Sequence, residues 1–363
     1  MMRKTILVLL ACIGIFVLYV GGVLLHGTWA DWQPEGSVPT DVFRATEDEM
    51  VTDTVFSLAL WNIGYAGLGE ESDFFYDNGR YFTSGGQMIR ATEAMVAKNL
   101  AGAALFTAST DADFFLFQEV DMGSRRSYFT RQVDTLAQKR PAFAAAFAPN
   151  YKVARMPLPV LEPWRAYGKV YSGIATLGRW QPYEQMRVQL PGTFPWPTRI
   201  FQLDRCMMVN RYKTSRGRDL VVINAHLSAY DKGGELKREQ MAFLRQTVLE
   251  EYEKGHYVIV GADWNQCPPF FPFDSFMPGQ TDGYTQTNIA PDFLPEDWQW
   301  VYDPTTPTNR KLNKPYDAET SFRTIIDFFL ISPNLQATRI KTIDQQFRFS
   351  DHQPVWMEVA LLP

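Results

Sequence analysis

Polar side chains that could bind a metal ion or move a proton occur at the edges of apolar segments typical of buried strands. The members of this set are Asn62, Glu119, His226, Asp263, Asn265, Asp351 and His352. A polar side chain at a strand end can be held rigidly and still face a cleft shared with its neighbours. Asp327 lies inside such a segment, where a buried acid needs a partner. The pattern predicts one site built from several strand ends.

These residue types suit the hydrolysis of a phosphoester. Carboxylates and carboxamides are hard oxygen ligands for Mg²⁺, which takes few protein ligands and keeps several waters; Mn²⁺ is the alternative ion. Imidazoles can act as acid, base or phosphate donor near neutral pH. A metal ion beside a phosphoryl oxygen offsets developing charge and helps to generate hydroxide.

Each residue alone also has an ordinary structural explanation. An asparagine after a strand is commonly a turn residue, the segment from Asp263 to Asn265 could cap a helix, and Glu119 could be a surface acid. His226 and His352 could be structural histidines with satisfied hydrogen bonds. The chain has only four histidines, however, and two of them fall in this set. The combination therefore favours a catalytic site.

Alternating strands and helices must position this set. Short apolar runs predict strands, and longer segments between them predict helices. The predicted strands cover residues 55–60, 114–117, 170–176, 206–212, 220–223, 257–260, 324–330 and 354–361. The predicted helices cover residues 86–103, 127–139 and 234–253. The loop-rich stretch 266–320 is either a functional rim or a structural wrap.

The N-terminal segment predicts a membrane anchor. Two basic residues at positions 3 and 4 precede an uninterrupted apolar stretch from Ile6 to Leu25, which can cross a bilayer core of about 30 Å. The charge distribution favours a cytoplasmic segment at 1–4, a transmembrane helix at 5–25 and an extracytoplasmic body. Two other interpretations remain: a cleaved signal peptide, which would make the protein secreted, and a lipoprotein signal ending at Cys12.

The remaining chain predicts one large domain. Residues 26–50 are polar and read as a tether, and residues 51–363 as the catalytic domain. Apolar residues make up 46% of the chain, which is enough for a substantial core.

The net charge is −5 without a basic run, which argues against tight nucleic-acid binding but does not exclude a nuclease. Cys206 and Cys267 are either buried thiols or a pair, and a monomer is expected.

Six motifs occur in a familiar order. They are LWNIGYAG, FLFQEVD, INAHLSAYD, VIVGADWNQ, TIIDFFLIS and FSDHQPV. This order resembles the endonuclease/exonuclease/phosphatase superfamily, which includes deoxyribonuclease I, exonuclease III-type enzymes and bacterial sphingomyelinases. The resemblance covers about residues 52–363. The segments QEVDMGSRRS and NAHLSAYD are more similar to those of bacterial membrane-anchored members than to those of nucleases.

The resemblance implies a fold and a metal site. The fold is an α/β four-layer sandwich with two mixed β-sheets face to face and helices outside, here preceded by one transmembrane helix. By motif, Glu119 resembles the principal Mg²⁺ ligand, with Asn62 beside it, and Asp351 resembles a carboxylate on the metal side.

The resemblance also implies catalytic roles. Asp263 resembles the carboxylate that orients or deprotonates the attacking water, and Asn265 the donor to a phosphate oxygen. His226 resembles the histidine that stabilises the transition state or protonates the leaving oxygen. His352 resembles the base or phosphate-binding histidine, and Asp327 the acid that orients it.

The expected activity is a divalent-metal-dependent phosphomonoesterase or phosphodiesterase. A sphingomyelinase-like phospholipid hydrolase, a nuclease and a phosphatase of small phosphorylated molecules compete as substrate classes. A phospho-ligand binding protein without turnover is the alternative of another class. Arg125, Arg126 and Lys169 could contact phosphate or be solvated surface charges, and the pair Tyr230–Asp231 could lie on the rim of the cleft. The run Phe270–Phe273 could touch a membrane or pack in the core.

Overall fold

Strands that are buried on both faces form the centre of the molecule, which is described by a computed structural model. The structure describes residues 2–229, 234–281, 283 and 287–363. Every residue of the segments Leu220–His226 and Tyr257–Asp263 is buried. Continuous apolar runs are typical of strands covered on both faces. The predicted strands therefore had to lie inside a layered α/β structure.

Two mixed sheets contain most of the strands. The first sheet contains, in spatial order, β1 (Ser37–Pro39), β8 (Glu184–Gln189), β9 (Cys206–Thr214), β10 (Leu220–His226), β11 (Tyr257–Asp263), β15 (Asp327–Ile331) and β12 (Gln299–Val301), and β3 (Met50–Val51) pairs with β9. The second contains β16 (Leu335–Thr342), β17 (Val355–Leu361), β4 (Val55–Asn62), β5 (Phe114–Asp121), β7 (Gly168–Gly178), β6 (Ala144–Met156) and β2 (Asp41–Arg44). The short strands β13 (Asn309–Arg310) and β14 (Arg323–Thr324) form a separate ribbon.

The sheets pack face to face, and helices cover their outer faces. The described helices are α1 (Met2–Trp29), α2 (Glu93–Ser109), α3 (Gln132–Ala137) and α4 (Glu235–Glu253). Leu60 and Leu116 of the second sheet share one core cluster with Val222 and Ile259 of the first. Helix α4 covers the outside of the first sheet, and α2 and α3 cover the outside of the second. The predicted four-layer sandwich is confirmed.

Parallel pairing brings strand ends together at one edge of the molecule. Strand β4 runs parallel to β5, and β10 runs parallel to β11. Their carboxyl-terminal ends carry the predicted site residues. A hydrogen bond from Asn62 to Asp263 joins the two sheets at this edge. The site therefore lies where the two sheets meet.

Two helix predictions had wrong boundaries. The helix predicted at 86–103 begins only at Glu93, where the Thr92 side chain caps it by accepting a hydrogen bond from the Met95 amide at 3.2 Å. The helix predicted at 127–139 covers only 132–137. Tyr128 and Phe129 have φ angles of 55° and 59°, a left-handed backbone that no α-helix accommodates.

The prediction of a tether through residue 50 is wrong for much of its length. Strand β1 pairs with β8 of the first sheet, and β2 pairs with β6 of the second. Met50 pairs with Lys213 of β9. These edge strands are short and polar, so they lack the apolar run that indicates a buried strand. The folded domain therefore begins near Ser37.

The apolar N-terminal segment forms one long helix. Helix α1 extends a few residues beyond each predicted end, and it is the one helix among the described residues that is long and apolar enough to cross a membrane. Its length and composition fit an anchor or a signal sequence.

Long strands outside the predicted set complete the sheets. Strand β6, with the sequence AAAFAPNYKVARM, contains four alanines in its first five residues, an asparagine and a proline, which have low strand propensity. Strands β8 and β16 are partly exposed and polar. The pair Cys206 and Cys267 stays unbonded and buried in separate clusters, as the thiol interpretation expected.

Candidate functional site

Asp263 stands at the centre of the site. The parallel register of β10 and β11 places His226 beside it, and the antiparallel register of β11 and β15 places Asp327 opposite it. The Oδ2 atom of Asp263 lies 3.3 Å from His226 Nε2 and 3.8 Å from His352 Nε2. Its Oδ1 atom accepts a hydrogen bond from the Asn265 amide at 3.0 Å. One carboxylate thus contacts both histidines.

His352 is held between carboxylates. Its Nδ1 lies 2.8 Å from Asp327 Oδ2, and its Nε2 lies 3.9 Å from Asp351 Oδ2. The Thr308 hydroxyl accepts hydrogen bonds from the amides of Ile326 and Asp327, at 3.0 and 3.1 Å, and so fixes the acid beside the ring. We call His226, Asp263, Asp327 and His352 the histidine–carboxylate cluster.

The two histidines carry opposite pKa shifts. Burial lowers the pKa of His226 to about 3, so its ring is neutral at neutral pH and can donate one hydrogen bond to Asp263. Burial also disfavours a charged His352, but the carboxylates of Asp327, Asp351 and Asp263 outweigh burial and raise the pKa of His352 well above its usual value. Although burial disfavours its charged form, both histidines favour it and lower the pKa of Asp263. The cluster therefore holds an ionised Asp263 beside a cationic His352.

Asn62 connects this cluster to Glu119. Its side-chain Nδ2 donates to Asp263 Oδ2 at 2.9 Å and lies 3.3 Å from Glu119 Oε1. Its side-chain Oδ1 accepts a hydrogen bond from the Gly64 backbone amide at 2.9 Å. Asn62 therefore acts here as a donor to two carboxylates, and its oxygen would have to turn toward Glu119 to serve as the predicted metal ligand.

Glu119 occupies a strained bulge in β5. The pairing of β5 with β7 shifts register between Phe117 and Val120, and Glu119 has a φ of 52°. A left-handed backbone costs a side-chain-bearing residue about 1 to 3 kcal/mol. The bulge turns Glu119, which is only partly buried, out of the regular strand alternation. Strain at this position is consistent with a functional role.

Asp351 forms the second half of an acidic pair with Glu119. Burial raises the pKa of Asp351 to about 7, and the negative charge of Glu119 adds to the shift. The nearby Arg310 guanidinium opposes it, although Arg310 donates its hydrogen bonds to backbone carbonyls such as Gly69 O. A Cβ added at Gly64 would lie 2.9 Å from Asp351 Oδ1, so only glycine leaves this carboxylate its space. We call Glu119 and Asp351 the acidic pair.

Two groups of donor atoms could hold a divalent cation. Ligand atoms of Asp263, Asp327 and His352 lie within 4.8 Å of one another, but the cationic His352 already neutralises that group. The acidic pair offers hard oxygen atoms whose negative charge is only partly offset by His352, which lies 3.9 Å from Asp351, and by Arg310. Such oxygen atoms are the donors that Mg²⁺ prefers. The residues present therefore fit a divalent cation at the acidic pair better than within the histidine–carboxylate cluster.

Asn265 lies at the rim of the cluster with a φ of 49°. Its side-chain nitrogen donates to Leu227 O at 2.9 Å, which leaves one of its two amide hydrogens for another acceptor. The Lys237 ammonium donates to Asn265 O at 2.9 Å. The structure thus brings all eight predicted site residues to one edge of the sheets.

The other candidate residues that the structure describes differ in their burial and contacts. Arg126 is buried and forms an ion pair with Asp121 at 2.8 Å, so it belongs to the core. Arg125 is partly exposed and Lys169 is exposed. Phe271 is buried, while Phe270 is 82% exposed. Tyr230 and Asp231 lie outside the described residues.

Two residues at the site were not predicted. Asn309 places its side-chain amide 3.1 Å from His352 Nε2, and the Ser350 hydroxyl lies 3.3 Å from Asp351 Oδ1 while donating to Asn62 O at 2.8 Å. Asn309 lies in the loop-rich stretch 266–320 and follows no apolar run, so strand ends could not reveal it. Ser350 directly precedes the Asp351–His352 pair, and that adjacency was the available signal.

Solved structures share this fold. An endonuclease/exonuclease/phosphatase from Beutenbergia cavernae aligns with a TM-score of 0.53 at 16% identity, covering 85% of this chain and 72% of the other. TDP2 from Caenorhabditis elegans aligns with a TM-score of 0.50 at 12% identity, covering 86% and 75%. A humanized TDP2 from D. rerio gives 0.50 at 14% identity, covering 85% and 99%. At these identities the likeness shows the fold alone.

The sequence itself was compared with protein-family models and with curated proteins. No curated protein matches the chain. The Endonuclease/Exonuclease/phosphatase family matches residues 61–352, a segment that begins one residue before Asn62, ends at His352 and contains every predicted site residue. The chain therefore belongs to the endonuclease/exonuclease/phosphatase family, a family of phosphoester hydrolases.

Proposed function

We propose that this protein is a membrane-anchored, divalent-metal-dependent phosphoester hydrolase. The observation that carries the proposal is the junction at Asp263 Oδ2, where Asn62 and both histidines meet within 3.8 Å. A binding protein needs hydrogen-bond donors for a phosphate, but it does not need a buried carboxylate poised between two imidazoles. Proton transfer to and from water is the chemistry that such an arrangement supports.

The histidine–carboxylate cluster supplies the acid–base groups. Asp263 is ionised and can orient a water molecule and accept its proton. His352 carries a proton on Nε2 and can donate it to a phosphoryl oxygen, while Asp327 holds the ring through Nδ1. His226 is neutral, with a buried Nδ1 that has no hydrogen-bond partner among the described residues. An arriving phosphate anion would raise the pKa of His226 and favour its charged form.

The acidic pair is the proposed cation site. Glu119 and Asp351 would hold Mg²⁺ or Mn²⁺, with Asn62 as a third ligand if its amide turns. The cation would supply positive charge that offsets the charge developing on the phosphoryl group. Asn265, with one amide hydrogen uncommitted, can donate to a phosphate oxygen at the opposite side of Asp263.

Helix α1 is the proposed anchor. Arg3 and Lys4 precede its apolar stretch, and positive charge before a span favours a cytoplasmic N-terminus with the catalytic domain outside. Carbonate extraction of membranes and protease accessibility of intact cells or spheroplasts test both parts of this assignment. A domain released into the medium would show that the segment is cleaved.

A substrate panel with the full-length, detergent-solubilised protein tests the activity. We expect turnover of at least one phosphomonoester or phosphodiester with Mg²⁺ or Mn²⁺, and its loss when a chelator is added. H352A should lower turnover by about 10³-fold without unfolding the domain. The panel overturns the proposal if no divalent metal supports turnover of any phosphoester, even where a phosphorylated ligand binds.

A further inference from the structure

The active-site edge is also the edge from which helix α1 leaves the domain. The turn between β6 and β7 and the connection between β8 and β9 both lie at this edge, because β7 begins beside the end of β5 and β9 begins beside the end of β10. Trp196, in the second of these connections, donates from Nε1 to Thr28 Oγ1 at 3.0 Å. Arg199 lies 3.4 Å from Asp31. The helix is thus joined to the site end of the domain.

Direct packing strengthens this junction. A Cβ added at Gly27 would lie 2.9 Å from Ile200 Cδ1, so helix and domain approach closely there. Arg155, near the end of β6, lines a groove with Tyr19 and His26 of the helix. Every described residue of the helix before Tyr19 is exposed. The exposed stretch from Met2 to Leu18 spans about 25 Å, close to the thickness of a bilayer core.

Large apolar side chains are exposed on the domain beside this junction. Trp164 is 70% exposed, Phe82 65%, Trp196 55% and Leu161 49%. The Leu161 amide donates to Phe82 O at 2.9 Å, which joins two loops into one surface. Arg155 reaches Pro163 O at 3.4 Å, so the same arginine contacts the helix and the loop that carries Trp164. We call Phe82, Leu161, Trp164 and Trp196 the aromatic patch.

A short path connects the aromatic patch to the acidic pair. The loop 158–166 closes with a hydrogen bond from the Tyr167 amide to Leu158 O, and the Tyr167 hydroxyl accepts from Arg126 at 3.1 Å. The Arg126 guanidinium lies 3.6 Å from the centre of the Tyr65 ring. The charge of Glu119 acts on Tyr65. Tyr167, Arg126 and Tyr65 therefore form a chain of contacts that leads from the loop 158–166 toward Glu119.

We infer that the active-site edge faces the bilayer, that the aromatic patch lies in the membrane interface, and that the substrate is the headgroup phosphoester of a phospholipid. Tryptophan and other large apolar side chains favour the membrane–water interface, and a helix leaving the domain at the patch holds them there. The substrate part of this inference rests on the proposed hydrolase function, whereas the orientation of the domain does not.

The orientation can be measured without any activity. In a C12A background, Leu161→Cys and Leu105→Cys are labelled separately with a small fluorophore, since the other two cysteines are buried. Leu105, 65% exposed on α2 toward the opposite edge, is the matched control. The full-length protein is placed in vesicles of phosphatidylcholine with a minor fraction of phosphatidylglycerol, with or without brominated acyl chains.

The two labels should respond differently. Brominated lipid should quench the label at residue 161 at least about twofold more than the label at residue 105. Equal quenching would overturn the orientation. Lipid-insensitive fluorescence at residue 161 that changes with protein density would assign the patch to a second copy of the chain, which also overturns it.

Activity then tests the substrate class. The full-length protein in the same vesicles is offered phospholipid and, separately, the water-soluble phosphoester of the same headgroup. We expect turnover of the lipid to exceed that of the soluble ester by at least about tenfold. L161S/W164S should lower turnover of the lipid severalfold and leave the soluble ester unchanged, while L105S should change neither.

The possible failures are distinguishable. Equal turnover of lipid and soluble ester, or equal loss in the patch variant on both, would overturn the lipid substrate while the quenching result supports the orientation. A protein that hydrolyses neither of them nor any other phosphoester, yet shows the expected quenching, would overturn the proposed hydrolase function and with it the substrate class.

Discussion

The histidine–carboxylate cluster and the acidic pair lie side by side but differ in how the charges of their carboxylates are balanced. In the cluster, every carboxylate contacts a histidine, and Asp263 also accepts a hydrogen bond from Asn62. In the acidic pair, Glu119 and Asp351 repel each other, and burial raises the pKa of Asp351 to about 7 although His352, 3.9 Å away, lowers it. A buried charge needs a partner. One half of the site is thus balanced by close contacts with histidines, whereas the other keeps negative charge that a cation would offset.

The largest effect is expected from Asp263→Asn. The change keeps the shape but removes the carboxylate that both histidines contact, so turnover should fall by about 10³-fold. The apparent affinity for Mg²⁺ should change little, because the acidic pair is intact. Steady-state kinetics over a metal titration measures both quantities. A large loss of metal affinity with turnover preserved at saturating metal would break the comparison.

Glu119→Gln should show the reverse pattern. Removing one of two negative ligands should weaken apparent Mg²⁺ affinity by about 10- to 100-fold, and excess metal should restore part of the activity. Calorimetric titration with Mn²⁺ gives a readout that does not depend on turnover. Glu253→Gln, at an exposed position at the end of α4, is the matched control. Unchanged metal binding in Glu119→Gln would rule out the acidic pair as the cation site.

Asp327→Asn should act through the charge of His352. The Asp327 carboxylate is the first of the groups that raise the pKa of His352. Without it the pKa of His352 falls, so the imidazolium loses its proton at a lower pH. The alkaline limb of the pH–kcat profile therefore shifts to lower pH. Turnover at neutral pH should fall by about 10- to 100-fold. The profile itself, with NMR titration of the ring, checks the sign; an unmoved or upward-shifted limb would contradict the assignment.

The smallest effect is expected from Asn309→Ala. Its amide contacts His352 Nε2 at 3.1 Å and can present oxygen to the charged ring or nitrogen to the neutral ring. Losing one such hydrogen bond costs about 1 kcal/mol, so kcat should fall about fivefold with metal affinity unchanged. A loss as large as that of Asp263→Asn would place Asn309 among the reacting groups instead of beside them.

Much of the fold could be predicted because buried strands consist of continuous runs of apolar residues. Strands β4, β10 and β11 are apolar on both faces, and each ends in a site residue. Edge strands β1 and β2 pair through their backbones with half-exposed side chains, so composition made them look like a tether. Helix α3 begins only at Gln132 because Tyr128 and Phe129 before it have a left-handed backbone, which the sequence periodicity does not reveal.

The site could be predicted as a set of residues but not as two halves. Strand ends and the family resemblance gave the eight side chains. The strained φ of Glu119 depends on the pairing of β5 with β7, and the role of Asn62 as a donor depends on Asp263 of the other sheet. Asn309, in the short strand β13, reaches His352 through an isolated backbone pairing. Contacts between distant segments decided each of these points.

The sequence by itself determined which chemistry the chain carries, because hard oxygen ligands and imidazoles at strand ends have few other uses in that combination. It also determined that an apolar helix precedes the domain. Only the tertiary structure decided which carboxylates are balanced by histidines, since that depends on register between strands remote in the chain. Only the tertiary structure joined the helix to the active-site edge, because that junction is made by Trp196, Arg199 and Ile200, far from the helix in sequence.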